Sequence, residues 1–247
     1  MKRCVLTTRS PMDAPAMLAR LRRAGLTARN LPLLRFQPQT LAPMGAAPDW
    51  LIALSPAAIR HGWPQLPPDW QQYAQLAAVG PGTQALLRQL SGRSILTPAA
   101  DAGGAEALLE QLPQHLHGQQ IVLLGTEVLS PGLQQVLRQR GAQVTGLTAA
   151  IAEPLPPSPK RVAALLKRYD QVVTTIMSQR ALNALHQLPG PGLTALQRQP
   201  LFVISQRLAD SATEAGWQQI HFARQATLDG LCQSLIDWHR QHSENTA

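Results

Sequence analysis

LAAVGPGTQALLRQL, residues 76–90, is the segment that decides how this chain folds. Its first four residues are apolar and have the length and flanks of a buried strand. Gly80, Pro81 and Gly82 end that run, and apolar residues at helical spacing follow them. In α/β folds, a strand that leads through a glycine turn into a helix presents free backbone N–H groups to a ligand. We expect Thr83, in this turn, either to cap the helix or to contact the ligand.

The same order of elements recurs in LFVISQRLADSATEAGW, residues 201–217, where an apolar run meets a polar turn and then a helical pattern. Three further pairs of segments match at a similar separation along the chain: residues 49–58 with 170–178, 100–112 with 223–235, and 5–25 with 122–141. Four correspondences in the same order predict a duplicated α/β unit, each copy about half of the chain.

Strand patterns alternate with helical patterns along the whole sequence, which predicts parallel sheets covered by helices. The pattern predicts a strand at Leu31–Phe36 and a helix that begins at Pro56, with Ser55 as its N-cap. Clustered prolines and glycines predict loops at residues 62–70 and 189–192. The polar C-terminus predicts a frayed tail from about residue 241.

The charge of this 247-residue chain indicates an anionic partner. Its 22 Lys and Arg residues outnumber its 14 Asp and Glu residues, which gives a formal net charge of +8 and a pI of about 10.7. Nucleic acid, a membrane surface, or a ligand rich in carboxylates or phosphates fits such a balance, and so does an Arg-rich solvated surface. The basic residues are scattered, and no helix carries a basic stripe with interleaved aromatics, which counts against nucleic acid.

The two cysteines indicate a reducing compartment. Cys4 and Cys232 lie in apolar segments, with neither a CxxC spacing nor a neighbouring histidine pair, so we expect buried, reduced thiols. No apolar stretch has the length of a signal peptide or a membrane span. We therefore expect a cytoplasmic protein without a membrane partner, and we also expect it to act as a monomer.

Familiar metal, phosphate-loop and nucleophile motifs are missing from the sequence. His115 and His117 are too close together to share a helix face, and there is no GxGxxG, GxxxxGK[ST] or GxSxG segment. Small hydroxyls and arginines instead follow several predicted strands, where parallel α/β sheets bind ligands. Such groups either hold an anionic ligand with many oxygens or merely cap helices and face water. The candidate binding residues are Arg9, Ser55, Gly80, Gly82, Thr83, Thr175, Ser178, Ser205 and Arg207.

Six segments in chain order carry a resemblance to a known family: VLTTRS at 5–10, NLPLLRFQP at 30–38, DWLIALSPAA at 49–58, AAVGPGTQAL at 77–86, GAQVT at 141–145 and FVISQRLADSATEAGW at 202–217. Together they span nearly the whole chain. As an ordered set they resemble the uroporphyrinogen-III synthase family.

The resemblance implies an α/β fold of two flavodoxin-like parallel-sheet domains joined by a two-stranded connector. It assigns one domain to 1–34 with 157–247, the other to 48–145, and the connector strands to 35–47 and 146–156. The N-terminal arm is thereby expected to pack with the C-terminal half, an exchange that the periodicity of the sequence does not show.

The resemblance also implies a reaction, the cyclisation of the linear tetrapyrrole hydroxymethylbilane to uroporphyrinogen III. Water is lost and ring D is inverted, with no metal or cofactor. The substrate carries many acetate and propionate groups, which match a basic chain with hydroxyl and Arg donors. Holding one folded shape of the substrate is then the main chemical demand. Thr83 is the best candidate for a catalytic role, and we expect its hydroxyl in a surface loop, where it contributes only about 1 kcal/mol as a cap.

The chain departs from the family pattern at several positions. The tyrosine thought to assist departure of the hydroxyl falls near Ala150, where no tyrosine is present. The arginine after the strand at 121–124 is replaced by Leu124-Gly125, and the second-half counterpart of Thr83 is Leu208. Two further hypotheses therefore stay open: a relative that binds a tetrapyrrole or another polyanion without turnover, and, from charge alone, a nucleic-acid-binding α/β protein.

Overall fold

The computed structural model describes residues 1–42, 45–98, 104–127 and 129–244. Contacts divide the chain into two compact units: a first unit of Met1–Arg35 with Glu153–Ala247, and a second unit of Phe36–Ala152. Each unit is built around a five-stranded sheet whose strands alternate with helices. The predicted α/β class with parallel sheets is confirmed.

The strands, in chain order, are β1 (Arg3–Thr7), β2 (Ala28–Asn30), β3 (Leu34–Pro38), β4 (Trp50–Ala53), β5 (Gln75–Ala78), β6 (Gln120–Thr126), β7 (Gln143–Pro154), β8 (Gln171–Ile176), β9 (Pro200–Val203) and β10 (Gln219–Phe222). The helices are α1 (Ala14–Arg23), α2 (Pro56–Gly62), α3 (Pro68–Tyr73), α4 (Pro81–Ser91), α5 (Ala105–Gln111), α6 (Pro131–Gln139), α7 (Pro159–Arg168), α8 (Gln179–Leu185), α9 (Pro191–Gln197), α10 (Gln206–Glu214) and α11 (Leu228–Glu244). A short 3-10 helix covers Trp63–Gln65.

The sheet of the first unit has the strand order β10-β9-β8-β1-β2, and its strands pair in parallel. Counted along the chain of this unit, that is the 2-1-3-4-5 order of flavodoxin-like sheets. Apolar clusters lie on both faces: Val172 and Leu201 belong to one, and Val173 and Phe202 to the other. Burial on both faces explains why these strands are continuous apolar runs rather than alternating patterns.

The sheet of the second unit has the order β3-β7-β6-β4-β5. β4 pairs in parallel with both β5 and β6, and β6 pairs in parallel with β7. Beyond β5, Leu96 forms a single parallel bridge to Ala77. Both faces are again apolar, with Leu51 in one cluster and Ile52 in the other.

The two sheets repeat each other strand by strand. The matching segments of the sequence place β1 with β6, β8 with β4 and β9 with β5, and these strands hold corresponding places in the two sheet orders. However, β1 pairs with β8 from the second half of the chain, and β6 pairs with β4 from the first half. Each half of the chain therefore contributes its first strands, β1 with β2 and β6 with β7, to the sheet of the other half.

β3 and β7 carry the chain between the two units. Leu155 N donates to Leu33 O and Gln39 N donates to Ala149 O, so these two strands run antiparallel. The local pattern predicts a strand over residues 143–147 only. β7 is much longer because it continues where the chain passes from the second unit into the first. Residues 43 and 44 of the predicted connector lie outside the described residues.

The predicted strand at Leu31–Phe36 is wrong in its first half, since only residues 34–36 of it lie in a strand, β3. β2 ends at Asn30 and β3 begins at Leu34, so the apolar residues between them belong to neither strand. Pro32 lies in this interval and has no N–H to donate to a ladder, which separates the two strands.

Two predicted loops and the predicted frayed tail are also wrong in part. The prolines of 62–70 start the 3-10 helix and α3, and Pro191 starts α9. Proline fits the first helical position because its fixed φ is already helical and its missing N–H is not needed there. The tail predicted to fray from 241 is helical up to Glu244.

Candidate active site

The predicted site residues fall into two groups, one at the carboxyl ends of each sheet. The first unit contains Arg9, Thr175, Ser178, Ser205 and Arg207, and the second contains Ser55, Gly80, Gly82 and Thr83. The strand order brings the members of each group to one edge of their own sheet, where parallel α/β folds bind ligands.

In the second unit, the ends of β4 and β5 lead into α2 and α4. Ser55 follows β4 and caps α2, with its hydroxyl accepting a hydrogen bond from Ala58 N at 3.1 Å. Gly80 follows β5 and is the N-cap of α4, whose first turn contains Gly82. A Cβ built on Gly80 or Gly82 would meet nothing within 4 Å, so the backbone here borders open space.

The N-terminus of α4 has the electrostatics of an anion site. No side chain caps this helix, and the first N–H groups of a helix have no partner within it. Pro81 has no N–H to offer, so Gly82 and Thr83 supply the donors. The helix dipole adds positive potential at the same point. A contact between this turn and an oxyanion of the ligand stays a prediction.

The structure contradicts two expectations for Thr83, that it lies in a surface loop and that it caps the helix. It is 5% exposed and is the third residue of α4, whose N-cap is Gly80, so it is neither a surface-loop residue nor the cap. Its hydroxyl makes no hydrogen bond with any of the described residues. Leu208, its counterpart in the first unit, is equally buried and packs in an apolar cluster. Ligand contact by Thr83 stays a prediction.

In the first unit, two serines follow neighbouring strands and differ in what they do. Ser178 follows β8 and caps α8, with its hydroxyl accepting from Ala181 N at 3.2 Å. Ser205 follows β9 and is the N-cap of α10, but its side chain makes no capping hydrogen bond. Arg207 is exposed in the first turn of α10. The Ser205 hydroxyl and the Arg207 guanidinium are thus available to a ligand at this edge.

Arg9 lies directly beyond β1 and is only partly exposed. Its Nη2 is 3.4 Å from Asp13 Oδ1, and its Nη1 donates to the thioether sulfur of Met177. Its Nε is buried without a hydrogen-bond partner, as is the hydroxyl of Thr175 on the adjacent strand β8. Thr8 Oγ1 donates to Thr175 O at 2.7 Å and ties the ends of the two strands together.

Asn30 belongs to the same edge, and the sequence analysis did not find it. Its Nδ2 donates to Arg9 O at 3.1 Å, while its Oδ1 is buried without a partner. It is the last residue of the short strand β2, and the predicted strand began one residue later, so its position at a strand end was hidden. The only sequence signal was a polar residue immediately before an apolar run.

The chain lacks the family's tyrosine near residue 150, and neither of its two tyrosines lies at the carboxyl end of a strand. Ala150 is fully buried in β7. Tyr73 is the last residue of α3 and is exposed, and Tyr169 is the C-cap of α7, before the amino end of β8.

Other site chemistry was searched within the described parts of the chain. There, no three His, Cys, Asp or Glu side chains are gathered so that they could hold a metal ion. Cys4 and Cys232 are free and buried, as predicted, and burial raises the pKa of both thiols. None of the helices in those ranges is both long enough and apolar enough to cross a bilayer.

Two solved structures share this fold. The chain matches a mutant uroporphyrinogen III synthase from the extremely thermophilic bacterium Thermus thermophilus with a TM-score of 0.59 and 17% identity, over 96% of this chain and 99% of that one. It matches the uroporphyrinogen-III synthetase from Helicobacter pylori 26695 with a TM-score of 0.63 and 14% identity, over the same shares. The predicted architecture of two flavodoxin-like domains with a two-stranded connector is confirmed at the level of the fold.

Sequence comparison identifies the family. The family model described as uroporphyrinogen-III synthase HemD matches residues 15–233. The chain is 30% identical to the uroporphyrinogen-III synthase of Escherichia coli (strain K12) and 32% identical to that of Salmonella typhimurium (strain LT2), in each case over 94% of this chain and 99% of the relative. Because these matches run through both units and both groups of strand ends, the chain belongs to the uroporphyrinogen-III synthase family.

Proposed function

We propose that this chain cyclises hydroxymethylbilane to uroporphyrinogen III, with inversion of ring D and loss of water. The observation that carries the proposal is the identity of 30–32% to two uroporphyrinogen-III synthases over 94% of this chain and 99% of each relative. The reaction class is that of a cyclising carbon–oxygen lyase in tetrapyrrole biosynthesis.

The two groups of strand-end residues support a role in holding the carboxylates of the substrate. Arg9 and Arg207 offer guanidinium donors, Ser205 offers a hydroxyl that caps no helix, and the first turn of α4 offers backbone N–H groups. The net charge of +8 favours approach of a polyanion. Ser55 and Ser178 each use one acceptor position in capping, and their O–H groups can still donate to a ligand.

Positioning is the chemical task that these residues can perform. Loss of water from the hydroxymethyl group leaves a reactive cation, which closes directly unless the chain holds the substrate in the folded shape that leads to inversion. Ala150 stands where the family has its tyrosine, so no aromatic hydroxyl assists from that position. We propose that Thr83, whose hydroxyl has no partner among the described residues, contacts the substrate instead.

We also propose the molecular setting. The two compact units support two domains at 1–34 with 157–247 and at 48–145, joined by connector strands at 35–47 and 146–156. The buried free thiols support a cytoplasmic location. The scattered basic residues support action on a small polyanion rather than on nucleic acid, and we propose that the protein acts as a monomer.

The test is a product assay with the full-length protein. Hydroxymethylbilane closes by itself to the type I isomer, so the type I and type III products are separated and compared with a protein-free control. We expect type III product to predominate. Type I alone, at the rate of the control, would overturn the proposal. Tight binding of a tetrapyrrole without type III product would instead favour a relative without turnover, as the residue at position 150 suggests.

A further inference from the structure

The register of the first sheet places Thr175, Thr7 and Asn30 side by side. Thr7 on β1 is paired with Thr175 on β8 and with Asn30 on β2. Side chains paired in register point to the same face of a sheet. Two residues earlier on this face, Val173 and Val5 belong to an apolar cluster that also includes residues of α1 and α11. The three polar residues, which we call the polar row, end this face at its carboxyl edge.

The polar row lies where the strand order reverses. From β1 the chain goes outward to β2, and it later returns on the other side of β1 as β8. In open α/β sheets, ligands bind beyond the carboxyl ends at this switch point. The backbone of Arg9 is tied to the row here, because Arg9 N donates to Thr7 Oγ1 at 3.4 Å and Asn30 Nδ2 donates to Arg9 O at 3.1 Å.

Three polar atoms at this point are buried and have no hydrogen-bond partner among the described residues. They are Arg9 Nε, Asn30 Oδ1 and Thr175 Oγ1, and Thr175 is only 1% exposed. Native structures contain few such atoms because each costs the free energy of lost hydration. One donor beyond the end of β1, with one acceptor on β2 and one hydroxyl on β8, complements a ligand that carries both an anionic acceptor and an N–H or O–H donor.

The corresponding place in the second unit is filled by leucines. There β4 and β6 pair as β8 and β1 do, and Gly125 directly follows the last pair of their ladder, Ala53 with Leu124. A Cβ built on Gly125 would lie 2.5 Å from Leu129 Cδ2 and 3.1 Å from Leu54 Cδ1, so apolar side chains occupy this space. The same fold therefore closes one switch point with apolar packing and has unpaired polar atoms at the other.

The side chain of Arg9 is held by contacts that a carboxylate can replace. The Arg9–Asp13 separation of 3.4 Å is longer than the roughly 2.7–2.9 Å of a charge-assisted hydrogen bond. Its other contact is with Met177, and a thioether sulfur is a weak acceptor. The guanidinium, at 18% exposure of its side chain, can therefore turn towards an incoming anion and open the way to the row.

We propose that Arg9 and the polar row form a subsite for one carboxylate arm of a tetrapyrrole. The carboxylate accepts from Arg9 Nε and the Thr175 hydroxyl, and Asn30 Oδ1 accepts from a donor group of the same ligand. Because Asn30 Oδ1 repels a second anion, the subsite takes a single arm. The identity of the ligand rests on the proposed function, whereas the preference for a carboxylate rests on the atoms described here.

The test measures binding of uroporphyrin to the full-length protein by quenching of tryptophan fluorescence. Uroporphyrin is an oxidised macrocycle that carries acetate and propionate arms and cannot be cyclised. Thr175→Val removes the hydroxyl and keeps the shape. Thr174→Val is the matched control, because Thr174 is also buried with an unpartnered hydroxyl but points to the opposite face, in register with Leu6. We expect Thr175→Val to raise the Kd about tenfold or more, Thr174→Val to leave it unchanged, and Thr175→Ser to retain binding.

The outcomes separate this subsite from the proposed function. Equal Kd values for the two valine variants, or no uroporphyrin binding by the wild type, would overturn the subsite. If the wild type makes no type III product but Thr175→Val alone weakens binding, the proposed function fails and the subsite stands. If type III product forms and the two valine variants bind alike, the function stands and the subsite fails. Asn30→Asp is a second variant, which we expect to weaken binding because it adds a negative charge beside the arm.

Discussion

Replacing Thr83 with valine separates what this residue contributes to stability from what it contributes to activity. Thr83 is 5% exposed in the first turn of α4, and its hydroxyl has no partner among the described residues. Valine has nearly the same shape, so the variant leaves no cavity. Because the Thr83 hydroxyl has no partner among the described residues, the substitution breaks no hydrogen bond with them. The free energy of unfolding should therefore stay within about 1 kcal/mol of the wild-type value.

The activity of the Thr83→Val variant should fall although its stability is kept. A hydrogen bond to a charged group contributes about 1.5–3 kcal/mol, so losing it lowers kcat/KM by about 10- to 100-fold. Thr83→Ser is the matched control, since it keeps the hydroxyl and removes a buried methyl group, at a cost of about 1 kcal/mol. We expect the serine variant to be less stable but active, and the valine variant to be stable but impaired.

Two measurements on the same preparations decide the matter. Urea unfolding followed by tryptophan fluorescence reports stability, and the initial rate of type III product formation reports kcat/KM. A valine variant with the kcat/KM of the wild type would refute the substrate contact. A valine variant that is markedly less stable would show that the Thr83 hydroxyl does have a partner in the protein.

Three further predictions concern stability. Burial lowers the pKa of His186, and Trp217 Nε1 donates to His186 Nε2 at 3.2 Å, a hydrogen bond that needs the neutral ring. The free energy of unfolding should therefore fall as the pH drops below about 6.5, and it should fall less steeply in His186→Gln. Urea titrations at several pH values measure both slopes. Ser178→Ala should cost about 1 kcal/mol by urea unfolding, since it removes the cap of α8. Gly230→Ala should cost about 1–3 kcal/mol by urea unfolding, because the new Cβ would lie 2.4 Å from the backbone oxygen of Gln225, which cannot turn aside as a side chain can.

The candidate site was predictable where a local pattern marks a strand end. Arg9 and Thr175 each follow or end an apolar run that the structure shows as a strand, so their place at the sheet edge followed from the sequence. Asn30 was missed because β2 has only three residues and one of them is exposed, which leaves no apolar pattern to read. The burial of Thr83 was missed because exposure at the start of a helix depends on what packs across it, and local spacing carries no record of that.

The sequence by itself determined the alternation of strands and helices, the duplicated order of elements and the polar residues that follow the strands, because each of these is written in neighbouring residues. The exchange of first strands was decided only by the tertiary structure. β1 and β6 are matching segments, so either could fit the sheet of either half, and nothing local distinguishes pairing with β4 from pairing with β8. Likewise, only the register across three strands from distant parts of the chain could show that Thr7, Asn30 and Thr175 form one row.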